Sequence, residues 1–495
     1  MSRSDLDVVV VGAGIEGLVA AALLARAHAR VVVLEREAVV GGAAVPISVG
    51  GASDVVACAA MPMVGPLRRT LFEALRLGRR GVRLSCPDPL AWTPLADGRA
   101  LAIRAEPAKT SAELRAFSTQ DAAVWARFGL WRQSLARRIE PLLRAGNVPL
   151  ERVARAIRGE AHELSELLFA SVAEIAQRHF ETPALVASIA QFATSGTTLG
   201  PRDAGTFFHL VLRGSADLFG PPGAWGHVLG GTGRLAVALG EAASEAGAQI
   251  RTRTEVRHVD VARGHVRGVV LTDGSSVRAR VVLSSLGEAA TLLDLVPEGA
   301  IPARTRAGIG ARRTRGTTVR IALWLDGLPH LAVARPAPGE AALAGVIRSP
   351  RTVEDLEAAH ADARAGRAST RPCVEWTVPS AMDPTLAKPG THVALITAQH
   401  AAPGTDVAAF VDRAIGVVEE VAPDLRRRIR AMAFCGPTHP SQGDAVPGRM
   451  FADRPCKTPV DGLLLAGAAA HPGLPASGLS GKLAALAATK ALRGR

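Results

Sequence analysis

The chain has 495 residues with a formal net charge of +13, and 48% of its residues are hydrophobic while 21% are charged. This composition excludes a disordered or low-complexity protein and provides enough apolar surface for several compact units. No run of about 18 apolar residues predicts a membrane-spanning helix, and the amino-terminal segment lacks the pattern of a secretory signal.

The positive charge comes almost wholly from arginine, because only five of the 58 basic residues are lysines, and tyrosine is absent. This pattern is typical of the coding bias of a G+C-rich genome. Attraction to an anionic membrane surface is the second interpretation, and it predicts at most a peripheral membrane contact. Nucleic-acid binding is not expected, because aromatic residues make up 4% of the chain and do not alternate with basic ones.

The five cysteines are scattered and odd in number, and no two of them form a C-x-x-C pair. They give no support to a disulfide framework, a thiol redox pair or a zinc site. We expect a protein of the reducing cytoplasm. The cysteines are Cys58, Cys86, Cys373, Cys435 and Cys456.

The amino-terminal segment has the pattern of a strand–helix–strand unit. Val8–Val11 is a β-branched run typical of a strand buried on both faces, and Val31–Leu34 is a second such run. Between them, Leu18–Ala27 is rich in alanine and leucine and predicts a helix. The segment therefore predicts one βαβ unit of a parallel sheet.

A glycine pattern at the end of the first strand predicts a dinucleotide site. Gly12 permits a tight turn, Gly14 lets the backbone approach a diphosphate, and Gly17 lets helix and strand pack closely. Glu35, at the end of the second strand, can accept hydrogen bonds from ribose hydroxyls. Its carboxylate would repel a 2′-phosphate, so NADP is disfavoured.

A second glycine pair distinguishes FAD from NAD. Gly41 and Gly42 follow shortly after Glu35 and leave room for the chain and a flavin diphosphate to pass close together. This pair, together with the first glycine pattern, resembles the extended dinucleotide signature of the amine oxidase and phytoene desaturase flavoproteins, and the resemblance implies FAD as the cofactor.

Residues 104–195 have helical character. Ser118 and Asp121 have the spacing of a capping box before a helix over Ala122–Leu143. Leu150–Phe180 alternates apolar and charged residues at helical spacing, and Pro183 starts another helix through Phe192. We expect an insertion of about three helices, which either caps the sheet or roofs a hydrophobic pocket or touches a membrane.

The α/β pattern returns after a glycine-rich loop, Trp225–Gly233, which precedes a helix over Arg234–Ala246. Asp273-Gly274 predicts a hairpin turn. The expected strands of this region are Gln249–Arg253, Glu255–Val261, Val266–Leu271 and Val277–Ser284.

The last third of the chain predicts a second sheet and a closing unit. Val319–Leu325 and His392–Gln399 read as strands of a substrate wall, and Asp406–Glu420 reads as a helix. Leu463–Ala466 predicts a strand before a glycine-rich loop, and Lys482–Leu492 predicts the last helix. The N–H groups at the start of this helix could face the pyrimidine edge of a flavin.

Three blocks of this chain resemble the phytoene desaturase-related flavoproteins, and the branch most similar to it is that of pyridine nucleotide-disulphide oxidoreductase domain-containing protein 2. The blocks are VVVVGAGIEGLVAAALLARAHARVVVLEREAVVGGAA, GAWGHVLGGTGRLAVALGEAASEAGAQI and GLLLAGAAAHPGLPASGLSGKLAALAA. The resemblance implies an α/β fold with a discontinuous, Rossmann-like FAD-binding domain of the glutathione reductase/amine oxidase type. It places this domain at residues 1–85, 225–300 and 445–495, and a mixed sheet-plus-helix substrate domain at 86–224 and 301–444.

The resemblance also implies roles for individual residues. The ADP half of FAD would be bound by Gly12, Gly14, Gly17, Glu35, Arg36, Gly41 and Gly42, with Val256 touching adenine through its backbone. Gly467, His471 and Gly478 would lie near the flavin end. Two departures from the family pattern, Gly473-Leu474-Pro475 and Gly481-Lys482-Leu483, also fall near the expected flavin ring.

We expect an FAD-dependent dehydrogenase, desaturase or isomerase that acts on a hydrophobic substrate such as a polyene, a carotenoid or another isoprenoid. Hydride would pass to the flavin, and a quinone or oxygen would reoxidise it. His471 and Arg234 are the candidate catalytic residues. Two alternatives remain: a non-catalytic lipid or protein escort on a flavin fold and, ranked lower, an amine oxidase.

Overall fold

The computed structural model describes residues 6–58, 61–145, 149–157, 161–221, 223–311, 316–333, 340–437, 456–467, 470 and 476–494. The fold class is α/β, as predicted, with two seven-stranded sheets and helices packed against them in this part of the chain.

The helices follow the chain in this order: α1 (Ile15–Arg26), α2 (Arg69–Ala74), α3 (Pro107–Leu114), α4 (Thr119–Ala145), α5 (Leu150–Ala156), α6 (Ala161–Phe169), α7 (Val172–His179), α8 (Pro183–Thr194), α9 (Thr206–Arg213), α10 (Gly233–Glu245), α11 (Ala303–Ala311), α12 (Val353–Arg364), α13 (Val407–Glu419), α14 (Leu425–Arg428) and α15 (Leu479–Arg493).

The strands follow in this order: β1 (Leu6–Val11), β2 (Val31–Leu34), β3 (Ile47–Val49), β4 (Ala52–Ala57), β5 (Leu84–Ser85), β6 (Ala91–Pro94), β7 (Ala100–Ile103), β8 (His227–Val228), β9 (Gln249–Arg251), β10 (Val256–Ala262), β11 (His265–Leu271), β12 (Ser276–Ser284), β13 (Val319–Leu325), β14 (Val346–Arg348), β15 (Cys373–Thr377), β16 (His392–Gln399), β17 (Ile429–Cys435) and β18 (Leu463–Leu465).

The first sheet has a parallel centre in the order β18–β12–β1–β2–β9. Val9 lies opposite Val282 on one side and Val32 on the other, and all three side chains are fully buried. The β-branched runs therefore form strands buried on both faces, as predicted. Helix α1 packs against α10 and α15 on one face of this sheet.

An antiparallel extension joins the parallel centre through β12. Its first residues pair with β11, which in turn pairs with β10, and its later residues run parallel to β1. The predicted turn at Asp273-Gly274 is confirmed, since the Gly274 N–H donates to the Leu271 carbonyl at 3.0 Å.

The second sheet has the order β17–β13–β16–β15–β14–β6–β7 and is antiparallel except between β14 and β6. Its strands β13 and β16 have the predicted bounds. The strands of the first sheet come from three separate stretches of the chain, with those of the second sheet between them. The domain boundaries themselves stay a prediction.

The helical insertion is larger than expected. The described part of residues 104–195 holds six helices, α3 to α8, where the sequence predicted about three. The apolar pattern over Leu150–Phe180 is divided into α5, α6 and α7, because Ser171 caps the last of these by accepting the Glu174 N–H at 3.1 Å. None of the described helices combines the length and the hydropathy needed to cross a bilayer.

The predicted capping box is only half formed. The Ser118 hydroxyl accepts the Asp121 N–H at 3.0 Å, as a cap should. The Asp121 carboxylate, however, accepts the N–H groups of Glu181 and Thr182, each at 2.9 Å, at the start of α8. Asp121 therefore anchors a second helix instead of closing the box, because the tertiary packing offers it two otherwise unpaired donors.

Candidate functional site

The glycine turn after β1 is closed by packing on two sides. Gly12 has φ of +90°, and a Cβ there would lie 2.6 Å from the Ser285 hydroxyl oxygen. A Cβ at Gly17 would overlap the Gly12 carbonyl oxygen. Both positions therefore require glycine for the turn itself, before any ligand is considered.

Gly14 differs from its two neighbours because it faces open space. Its φ of −70° and ψ of 170° are ordinary values for any residue, and a Cβ there would meet no atom within 4 Å. Gly14 is also the N-cap of α1, so the unpaired N–H groups and positive dipole end of this helix border that space. The residues present fit a dinucleotide diphosphate.

The second glycine pair lies against the first. The Gly41 N–H donates to the Ala13 carbonyl at 2.9 Å, and Gly14 and Gly41 form a parallel bridge. Gly42 has φ of +55°, and a Cβ there would lie 3.3 Å from the Gly14 Cα. We call Gly14, Gly41 and Gly42 the glycine cradle.

Glu35 ties the end of β2 to the same turn. One carboxylate oxygen accepts the Ala13 N–H at 2.7 Å and the other accepts the Glu37 N–H at 2.9 Å. Each carboxylate oxygen has two lone pairs, so both can also accept from ribose hydroxyls. Because β1 and β2 are parallel neighbours, their carboxyl ends bring Gly12 and Glu35 to one edge of the sheet.

Two predicted adenine-side residues lie at this edge as well. The Thr254 N–H donates to the Glu35 carbonyl at 2.8 Å, and buried Val256 begins β10 two residues later. Arg36 is exposed, with its Nε 3.1 Å from a Glu37 carboxylate oxygen. The structure thus groups these residues beside the glycine cradle, while their contact with a cofactor stays a prediction.

The carboxy-terminal glycines pack against segments next to the glycine turn. Gly467 follows β18, and a Cβ there would lie 2.7 Å from the Leu286 carbonyl oxygen. Gly478 is the N-cap of α15 and has φ of +71°. His471 and the following residues to 475 lie outside the described residues.

Glu16, which the sequence analysis missed, connects these two ends. Its carboxylate is 5% exposed and accepts the N–H groups of Gly478 and Gly481, each at 2.9 Å. The expectation that these two N–H groups face a flavin is therefore wrong, because an internal carboxylate already holds them. A charged residue within an otherwise apolar, glycine-led helix was the available signal, since a buried carboxylate requires partners.

Burial raises the pKa of Glu16 above its ordinary value of 4.5, although hydrogen bonds from Gly481 and its neighbours oppose this shift. A raised pKa means that the folded state favours the protonated carboxyl, so the free energy of unfolding falls as the pH rises from 4.5 through the folded-state pKa. The difference in unfolding free energy between wild type and Glu16→Gln should therefore fall over this pH range. Denaturant titrations of both proteins at several pH values measure this difference in unfolding free energy. A difference that rises with pH would contradict the raised pKa of Glu16.

Arg234, the other candidate catalytic residue, is exposed on α10. Its stem passes Gly230, and its guanidinium lies 3.4 Å from where a Gly81 Cβ would be. It is not among the residues that line the cavity described next. The catalytic assignments of Arg234 and His471 stay predictions.

A cavity of about 410 Å³ lies beside the second sheet and is roofed by the helical insertion. Its wall is largely apolar and includes Trp125, Phe128 and Trp376. The cavity is also lined by Met61–Val64, which follow the glycine cradle along the chain, and by Ala476, which lies shortly before Gly478. Ala476 lies two residues before Gly478, whose N–H donates to Glu16 in the first turn of α1. The volume of the cavity is within the range of ligand pockets.

The cavity wall also contains charged residues that the sequence analysis did not single out. They lie on α4, α9, β13, β14 and β15, so no local motif could have grouped them: Arg132, Arg213, Arg320, Arg348 and Glu375.

No group of three or more His, Cys, Asp or Glu side chains in the described ranges is placed to hold a metal ion. The five cysteines, all of which are described, are unpaired. Burial raises the pKa of the Cys456 thiol to about 12, and its thiolate is thereby disfavoured.

Comparisons with known proteins support the Rossmann-like fold of the amino-terminal segment. Residues 10–66 match the family model of an NAD(P)-binding Rossmann-like domain. The pyridine nucleotide-disulfide oxidoreductase domain-containing protein 2 of Mus musculus is 30% identical to the chain, over 98% of this chain and 93% of the mouse protein.

Two solved structures share the fold. An oxidoreductase from Methanosarcina mazei superposes with a TM-score of 0.65 at 18% identity, covering 98% of this chain and 100% of that one. Cyclohexylamine oxidase from Brevibacterium oxydans superposes with a TM-score of 0.59 at 16% identity, covering 99% and 100%.

Proposed function

Because the chain belongs to the family of pyridine nucleotide-disulfide oxidoreductase domain-containing protein 2, we propose that it is an FAD-dependent oxidoreductase that dehydrogenates, desaturates or isomerises a hydrophobic substrate. The observation that carries this proposal is the glycine cradle at the start of α1 together with a largely apolar cavity, which is linked to α1 through Ala476, Gly478 and Glu16. A dinucleotide bound at the cradle would extend toward the residues that line this cavity.

Three features support FAD, of which the first fits any dinucleotide, the second disfavours NADP and the third favours FAD over NAD. The open space at Gly14 accommodates a diphosphate at the amino terminus of α1. The Glu35 carboxylate accepts ribose hydroxyls and repels a 2′-phosphate. Gly41 and Gly42 add a second glycine segment that a minimal NAD site does not need.

Bound FAD would supply the redox chemistry by accepting hydride from the substrate. The chain would contribute binding and orientation, because the largely apolar wall would hold an apolar molecule against the segment Met61–Val64. The proposed substrate is a polyene or another isoprenoid, and the proposed electron acceptor is a quinone or oxygen. The proposal also includes a peripheral contact with a membrane.

Release of the cofactor tests this proposal. Protein purified under native conditions should carry a yellow chromophore, and heat or acid denaturation should release about one FAD per chain, because residues 467–481, expected at the flavin end, contain no cysteine for a covalent link. Absorbance of the supernatant and its mass identify the compound. Folded, colourless protein that takes up no added FAD would overturn the proposal and favour a non-catalytic escort.

A further inference from the structure

The apolar cavity contains more positive than negative charge. Four arginines, which we call the arginine cluster, line its wall: Arg132, Arg213, Arg320 and Arg348. Glu375 is the one acidic residue among the described residues that line it. A fifth lining arginine, Arg104, is neutralised separately by Glu113 and by Asp88.

Glu375 forms its ion pair with one member of the cluster, Arg348, and it also attracts Arg213 and Arg320 electrostatically. One of its carboxylate oxygens lies 3.0 Å from the Arg348 Nε, and the other accepts the Ser195 hydroxyl. Arg348 also donates to the Ser188 hydroxyl at 2.9 Å and is 4% exposed. This pair is therefore a buried, hydrogen-bonded ion pair that needs no ligand.

Arg213 and Arg320 converge on the same place without a carboxylate of their own. Arg213 donates to the Ser195 carbonyl, and its guanidinium lies over the rings of Trp225 and Phe192 at 5.2 and 5.7 Å. Arg320 donates to the Thr397 hydroxyl at 3.2 Å. Within the described ranges neither guanidinium has a salt-bridge partner, and each retains further N–H donors.

Arg132 is the fourth member and has no hydrogen-bond partner in the described part of the chain. Its Nε is inaccessible to solvent, and its guanidinium carbon lies 2.9 Å from where a Cβ of Gly214 would be. Burial lowers the pKa values of Arg132 and Arg213 to about 10. Burial thus removes water from these guanidinium groups, and the protein's own hydrogen bonds replace only part of that hydration.

Such an arrangement is unfavourable unless something else supplies negative charge. Arginines of like charge near an apolar wall repel one another and lose solvation, and one glutamate cannot balance all of them. A neutral hydrocarbon would leave this cost in place, and an ammonium would add to it. A carboxylate or phosphate would offset it, since a guanidinium binds such groups through paired N–H donors.

We infer that the cavity binds an apolar molecule with one anionic head group, a carboxylate or a phosphate, and that Arg213 and Arg320 hold this head group. This inference rests on the proposed function in one respect: it takes the molecule bound in the cavity to be the substrate. It also disfavours an amine substrate, because the positively charged wall repels an ammonium.

Matched ligand pairs test the inference on the wild-type protein. Calorimetric titration compares oleate with oleyl alcohol, and farnesyl diphosphate with farnesol. In at least one pair the anion should bind about tenfold or more tightly than its neutral counterpart. The pair that discriminates identifies the head group as carboxylate or phosphate. Equal affinity within both pairs would overturn the inference.

Variants assign the head-group site. Arg213→Gln and Arg320→Gln should each weaken binding of the preferred anion about tenfold and leave the neutral ligand unchanged. Arg213→Lys, which retains the charge, should restore part of the affinity. Arg367→Gln is the control and should leave the anion affinity unchanged, because this exposed arginine pairs with Asp362 and does not line the cavity. If the control loses as much anion affinity as Arg213→Gln, the assignment of the head-group site is refuted.

The FAD content of each sample separates this inference from the proposed function. If the wild-type protein carries about one FAD per chain but binds anions and alcohols equally well, only the anionic substrate is refuted. If the protein takes up no FAD but still binds the anion more tightly, the oxidoreductase proposal is refuted and the assignment of the cavity is supported. Thermal unfolding of each variant shows whether it is folded.

Discussion

Gly14→Ala is expected to weaken FAD binding by about tenfold to a hundredfold while leaving the apo fold intact. The backbone at Gly14 has φ and ψ values that alanine adopts without strain, and no atom lies within 4 Å of the added Cβ. The methyl group would instead occupy the space that a diphosphate needs to approach the amino terminus of α1.

Gly416→Ala is the matched control for this substitution. Gly416 also has an ordinary φ and no atom within 4 Å of an added Cβ, but it lies on α13, beside the second sheet. Cofactor content and the FAD dissociation constant, measured by flavin fluorescence, compare the two variants. Equal FAD affinity in Gly14→Ala and Gly416→Ala would show that the cofactor does not lie at the cradle.

Glu16→Ala is expected to lower the free energy of unfolding by about 3 kcal/mol. The substitution leaves the buried N–H groups of Gly478 and Gly481 without an acceptor, and it opens a small cavity between α1 and α15. A Cβ at Gly481 would overlap the Glu16 carbonyl oxygen, so the two helices are too close for a larger side chain to compensate.

Glu241→Ala provides the comparison for Glu16→Ala, because Glu241 is an exposed glutamate on the neighbouring helix α10. Its loss should change the free energy of unfolding by less than about 0.5 kcal/mol. Denaturant unfolding followed by circular dichroism measures both variants. Similar losses in the two would contradict the role given to the Glu16 carboxylate.

The helical insertion shows how far periodicity alone can predict structure. The apolar spacing over Leu150–Phe180 correctly indicated helix, but it could not place the breaks between α5, α6 and α7. Those breaks depend on caps such as Ser171 and on packing against other helices. Ser118 and Asp121 show the same limit, because their spacing predicted a box that tertiary contacts left half formed.

The βαβ unit, the glycine cradle with Glu35 and the class of the fold could all be predicted from the amino-acid sequence. These features are encoded within short stretches, where backbone preferences and hydrophobic periodicity act between near neighbours. Only the tertiary structure brought Glu16 to Gly478 and assembled Arg132, Arg213, Arg320 and Arg348 around one cavity. Contacts between residues so far apart in the sequence depend on how sheets and helices pack in three dimensions, and a local sequence pattern does not predict that packing.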